Sequence, residues 1–262
     1  HTLQSNVIFD DMILFQEAAT PAVIPVASGA TLVIGKNIVT MSKTDAKMKI
    51  VVEEGGRLIL GGGDFDIENN GGEVYDRCRE LDCPPFALVT IGGLDWNREL
   101  SPWACDGTVR DAEPFGGQAA GFLDELLNQI IPQVESSLPQ PPTRRGIAGY
   151  SLAGLFALWS LWQTDAFDRA ASASGSLWFP DFVDRASTAP FAGSPQAVYL
   201  SLGKKETKTP NRMMRHVLDD TRAMEALLVE RGIPTTLELN PGNHFTQPDL
   251  RMARGIHWIL TH

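Results

Sequence analysis

The sequence predicts an α/β protein, with a mostly parallel central sheet, helices on both of its faces, and an antiparallel region of short strands at the N-terminus. Three observations carry this. From about residue 86 onward, short apolar runs alternate with longer stretches of helical periodicity, the order that parallel strands and crossover helices require. Residues 31 to 60 instead hold "TLVIGKNIVTM", "MKIVVEE" and "RLIL", joined by links too short for crossovers, so neighbouring strands there are expected to pair antiparallel. No long linker, internal repeat or compositional break divides the 262 residues, which read as one domain, with residues 1–56 as its N-terminal strands.

The elements follow in order. After "GGGDFD" the pattern changes, and "VYDRCREL" reads as a short helix before "FALVTIGG" (86–93), an apolar strand ending in glycines. "AAGFLDELLNQIIPQV" sets Phe122, Leu123, Leu126, Leu127, Ile130 and Val134 on one broad helical stripe, which Pro132 should kink or end. "RGIAGY" is a strand, "LAGLFALWSLW" a helix, and "RAASAS" and "AVYLSLG" are strands. "MMRHVLDDTRAMEALLVE" has the apolar face of a helix in Met213, Val217, Met224, Leu227 and Leu228. "TTLELN" is the last strand and "DLRMARGIHWIL" the closing helix.

Composition narrows the function. Hydrophobic residues at 43% and charged residues at 21% fit a soluble globular chain with a sizeable core. A formal charge of -10 disfavours nucleic acid or an anionic membrane as partner. No apolar run nears the roughly 20 residues of a membrane span. No charged-then-apolar leader follows His1, so the sequence reads as a soluble protein, either cytoplasmic or exported after processing. Its oligomeric state is not legible. Cys78, Cys83 and Cys105 are too few and too unevenly spaced for a disulfide framework or zinc site. Reduced thiols are the favoured reading, with a Cys78–Cys83 bridge left open. No cofactor and no metal are expected: neither a phosphate-binding glycine fingerprint nor His-Glu-x-x-His occurs.

The chemistry concentrates at strand ends, where ligands bind in open α/β sheets. Ser151 follows "RGIAGY", Glu206 follows "AVYLSLG" and His244 follows "TTLELN". Serine, acid, histidine is the chain order of the α/β-hydrolase triad. Ser151 lies in Gly149-Tyr-Ser-Leu-Ala153, where a nucleophile on a sharp strand-to-helix turn needs small residues two positions away on either side. Alanine replaces the usual second glycine and still fits. His244 sits in the loop "NPGNHF", and histidine is the side chain that accepts and returns a proton near neutral pH. Glu206 has two readings. It either orients His244, or it pairs at the surface with Lys204, Lys205, Lys208 and Arg212 on its own loop.

"GYSLAGLFALWSLW", "SASGSLWF" and "NRELSPW" together resemble the putative-esterase family of α/β-hydrolases, in particular its siderophore-esterase-like branch, from about residue 57 to the C-terminus. The resemblance implies the α/β-hydrolase fold, Ser151 as nucleophile and His244 as base. Glu206 matches the acid of some members, while others in that branch use a serine–histidine dyad. The family's Asp-Gly after its early strand is replaced by "LILGGGDF", with Gly62 in place of the aspartate. An oxyanion hole is expected from the N–H groups of Gly63, at that strand end, and of Leu152, just after the nucleophile. Arg98, Trp103, Trp178 and Phe245 are placed at the substrate pocket, with ordinary core packing the competing reading for each aromatic. The expected activity is that of a serine esterase acting on a small-molecule carboxylic ester. The alternatives are acyl transfer on the same residues, or an inactive hydrolase fold used for binding.

Overall fold

The computed structural model describes residues 71–91, 94–107, 113–136, 138 and 140–262, together with seven short strands between residues 7 and 60. These are β1 (Val7–Phe9), β2 (Ile13–Gln16), β3 (Val23–Val26), β4 (Thr31–Ile34), β5 (Val39–Ser42), β6 (Lys49–Val52) and β7 (Arg57–Leu60). The antiparallel expectation is corrected here, because every pairing among them is parallel: β1 with β4, β4 with β7, β2 with β5, and β3 with β6. Each strand meets the third one along. Val7 faces Leu32 and Leu32 faces Leu58, so the chain advances 25 or 26 residues before it returns alongside itself. A parallel pair needs a long return, and two intervening strands supply it. The short links thus pass the chain from one strand pairing to the next instead of closing hairpins.

The chain divides into two compact units, His1–Asp76 with Ala87–Gly92, and Arg77–Phe86 with Gly93–His262. No change of composition marks that boundary, and the sequence alone reads as one domain. Helix α1 (Gly71–Glu80) forms where a short helix is expected. Residues 86–91 form no strand, contrary to expectation; half-buried and exposed residues alternate there, and Val89 lies open to solvent. An antiparallel pair does occur later, between β8 (Ala104–Cys105) and β9 (Phe115–Gly116), after the short helix α2 (Trp96–Glu99). The helical stripe around Phe122 becomes α3 (Ala119–Glu125), one π-helical turn at Leu126–Ile130, and α4 (Ile131–Glu135). In that wider turn the Ile131 N–H donates to the Leu126 carbonyl, which lets Pro132 enter without ending the helix. Cys78, Cys83 and Cys105 are free thiols, and burial pushes Cys78 up to about 12.

The site is carried by a four-stranded parallel sheet in the order β10 (Gly146–Tyr150), β11 (Arg169–Ala173), β12 (Ala197–Gly203), β13 (Thr235–Asn240). The two inner strands are buried along their whole length, whereas β13 is only partly covered before Asn240. Helices α5 (Leu152–Ser160), α6 (Phe182–Thr188), α7 (Val217–Glu230) and α8 (Pro248–Thr261) supply the crossovers and the last layer. Alternate side chains of a strand point to opposite faces, and β11 shows both sides used. Ser172 lies beneath Gly154 of α5, while Ala171 packs with Tyr199 and Ile259 of α8. This is the mostly parallel sheet with helices on both faces that the sequence predicts. No described helix is long and apolar enough to cross a membrane.

Candidate active site

Ser151 occupies the joint between β10 and α5 with φ 57° and ψ -121°, a backbone region that costs a non-glycine residue of order 1–3 kcal/mol. Its surroundings hold it there. The Ser151 N–H donates to the Ala173 carbonyl at 3.1 Å, and its own carbonyl accepts from Ser176 N–H at 2.9 Å and Leu155 N–H at 3.1 Å. The small residues flanking the serine are required by the turn, because a Cβ on Gly149 would overlap the carbonyl of Ala153.

Three strand ends bring three side chains into a row. His244 Nε2 lies 3.1 Å from Ser151 Oγ, and His244 Nδ1 lies 2.8 Å from Glu206 Oε2. One tautomer satisfies both contacts: Nδ1–H donates to the carboxylate, and Nε2 accepts the serine proton. Glu206 follows β12 and turns inward, away from the lysines on its loop, with 5% of its side chain exposed. Its other oxygen, Oε1, accepts from Gly203 N–H at 2.6 Å, Ser174 Oγ at 2.8 Å and Arg251 Nη1 at 3.1 Å. Burial pushes the Glu206 carboxyl up. The hydrogen bond and charge of His244, with the Gly203 and Ser174 bonds, outweigh that and hold it below its ordinary value. A buried carboxylate so bonded stays ionised beside the imidazole.

The remaining sequence candidates separate. Leu152 begins α5, so its N–H has no acceptor within the helix and stands beside Ser151. Gly63 lies outside the described residues. Phe245 is 68% exposed and meets His244 edge to face at 5.2 Å. Trp103 and Trp178 belong to a cluster with Phe115 and Phe179: Trp103 meets Phe179 at 5.4 Å, and Phe115 meets Trp178 at 6.1 Å and Phe179 at 5.3 Å. Arg185 stacks on Trp103 at 4.2 Å. Arg98 is half exposed, pairs with Asp95 at 3.3 Å, and packs against Gly116 of β9. Trp178 is tied to the row through the chain, two residues past Ser176. Among the described residues no group of His, Cys, Asp and Glu converges to hold a metal ion.

Sequence reasoning missed Arg251 and Tyr150. Arg251 lies on the buried side of α8 with Pro248, Gly255 and Ile256, and a charge on that stripe is the signal that marks it. The Tyr150 hydroxyl donates to the backbone carbonyl of His244 and stands 3.1 Å from Arg251 Nη1.

Comparison with known proteins agrees with the fold and places the chain in a family. A curated relative, the uncharacterized protein YbbA of Bacillus subtilis (strain 168), is 29% identical over 150 residues, 55% of this chain and 60% of the relative. The chain therefore spans about three fifths of that relative's length. Among solved structures, an IroE-like serine hydrolase from Shewanella oneidensis superposes with a TM-score of 0.60 at 18% identity, covering 72% of this chain and 67% of that one. The enterobactin esterase FES from Shigella flexneri, solved in the presence of enterobactin, gives 0.54 at 20% identity over 70% of this chain and 45% of that one. These likenesses identify the α/β-hydrolase fold. The family described as "Putative esterase" matches residues 55–248, about three quarters of the sequence, and the chain belongs to that family.

Proposed function

We propose that the protein is a serine esterase that cleaves a small-molecule carboxylic ester through an acyl-enzyme. The observation that carries this reading is the hydrogen-bonded row Ser151–His244–Glu206, with contacts of 3.1 and 2.8 Å, set on a serine held at positive φ. Ser151 Oγ attacks the ester carbonyl while His244 Nε2 takes its proton. Glu206 holds the tautomer and balances the imidazolium. The Leu152 N–H receives the oxyanion. Collapse of the tetrahedral intermediate expels the alcohol, protonated by His244. Water then repeats the sequence on the acyl-enzyme to release the acid and free Ser151.

The substrate reading rests on the structural neighbours, which include hydrolases named for enterobactin and other siderophores. A catecholate lactone or another aryl-bearing ester fits the exposed ring of Phe245 beside His244. A fluorophosphonate probe should label the parent protein once, at Ser151, and leave Ser151→Ala unlabelled. A panel of acyl esters and catecholate lactones should then show turnover that follows the label. A parent that neither labels nor hydrolyses any ester would overturn the proposal.

A further inference from the structure

Arg251 is 1% exposed, and its bonds reach groups at or just beyond all four strand ends. Nη1 donates to Tyr150 Oη at the end of β10 at 3.1 Å, to Ser174 Oγ just past β11 at 2.7 Å, and to Glu206 Oε1 just past β12 at 3.1 Å. Nη2 donates to the carbonyls of Pro241 and Asn243, in the loop after β13, at 3.3 and 2.9 Å. Two consequences follow. Glu206 Oε1 is saturated by three donors, so the carboxylate cannot rotate and Oε2 is left to His244. The loop that presents His244 is anchored by its own backbone, and Tyr150, itself in contact with Arg251, binds the carbonyl of His244. Ser174, at φ 46°, keeps a strained backbone where its hydroxyl bridges the guanidinium and the carboxylate.

We propose that Arg251 is a positioning residue for the Ser151–His244–Glu206 row, fixing through one planar guanidinium both the orientation of the acid and the loop of the base. This rests on the esterase reading above. A lysine would keep the charge but could not span the same acceptors, so charge alone does not replace the fork. Because the row matters most when the imidazolium forms, misplacing it should act on turnover more than on substrate binding.

The test begins with the parent, whose fluorophosphonate labelling at Ser151 and ester turnover must be present; their absence would reject the esterase reading itself and leave no row to position. Arg251→Lys and Ser174→Ala are then measured alongside Glu206→Gln and the two double variants. Arg251→Lys should lower kcat about 10- to 100-fold with KM within about threefold, and Ser174→Ala should lower kcat less, by about 3- to 10-fold. Each should add little to the loss already caused by Glu206→Gln, because all three act on one carboxylate. Ser174→Ala keeps the assay informative should Arg251→Lys fail to fold. Losses that multiply in full with that of Glu206→Gln, or a rise in KM with kcat unchanged, would overturn the proposal.

Discussion

The inner and outer ends of the active-site row are built differently. At the inner end Glu206 and Arg251 are 5% and 1% exposed, and five hydrogen-bond partners besides each other and His244 hold them in place. At the outer end Phe245 is 68% exposed, and its ring contact is with His244. The imidazole, 29% exposed, joins the two. Polar groups sealed from water are stabilised only in the geometry that satisfies every bond, whereas an exposed ring can adapt to what approaches it. On the esterase proposal, the inner end governs rate and the outer end governs which esters are held.

The most severe way to break that division lies at its centre. Ser151→Ala should reduce turnover by about 10,000-fold or more while the melting temperature holds, since the nucleophile is lost and the elbow keeps its packing. Retention of a tenth of the activity in steady-state assays would remove Ser151 from the mechanism.

Glu206→Gln probes the buried end. It keeps size but removes the charge that stabilises the imidazolium, and kcat should fall by about 100- to 10,000-fold with a smaller change in KM. Activity within about threefold of the parent would point to a Ser151–His244 dyad oriented by backbone.

Acid stability sharpens the comparison next. The folded Glu206 carboxyl lies below its ordinary value of 4.5, so its ionised form stabilises the fold above that value. The contribution disappears as pH falls through the lower, folded value. Melting curves recorded from about pH 6 to 3 should show the gap between parent and Glu206→Gln closing with acidification. A gap that is constant, or that opens in acid, would contradict a carboxylate ionised in the fold.

The smallest effect belongs to the open end. Phe245→Ala should raise KM for aryl esters by about 3- to 10-fold, with kcat nearly unchanged and little loss for short alkyl esters. An equal change for both ester classes would leave the ring without a part in selection.

The turn at Ser151 was legible in the sequence for a physical reason: a strained backbone excludes side chains, so Gly149 and Ala153 leave a local mark around it. Glu206 was only half legible. Its neighbours Lys204, Lys205 and Lys208 point to a surface ion pair, and only the fold reveals that the carboxylate turns inward to Gly203, Ser174 and Arg251. Arg251 lies only seven residues past His244, yet no local sequence pattern ties it to Tyr150, Ser174 or Glu206. The same limit explains the N-terminal strands. Their existence in residues 31–60 follows from composition, but pairing with the third strand along is a non-local choice that short links conceal.

That third-along pairing also sets a rule for change. Because β1, β4 and β7 lie side by side at intervals of 25 or 26 residues, the region grows like a ruler with fixed graduations. Inserting or deleting one whole interval leaves every later strand facing the same kind of neighbour and alters the stack by one spacing, about 4.8 Å. A change of any other length must be absorbed in a link or else shifts the register of all that follows. The sheet β10–β13 has no such freedom, since each of its strand ends delivers a different member of one constellation.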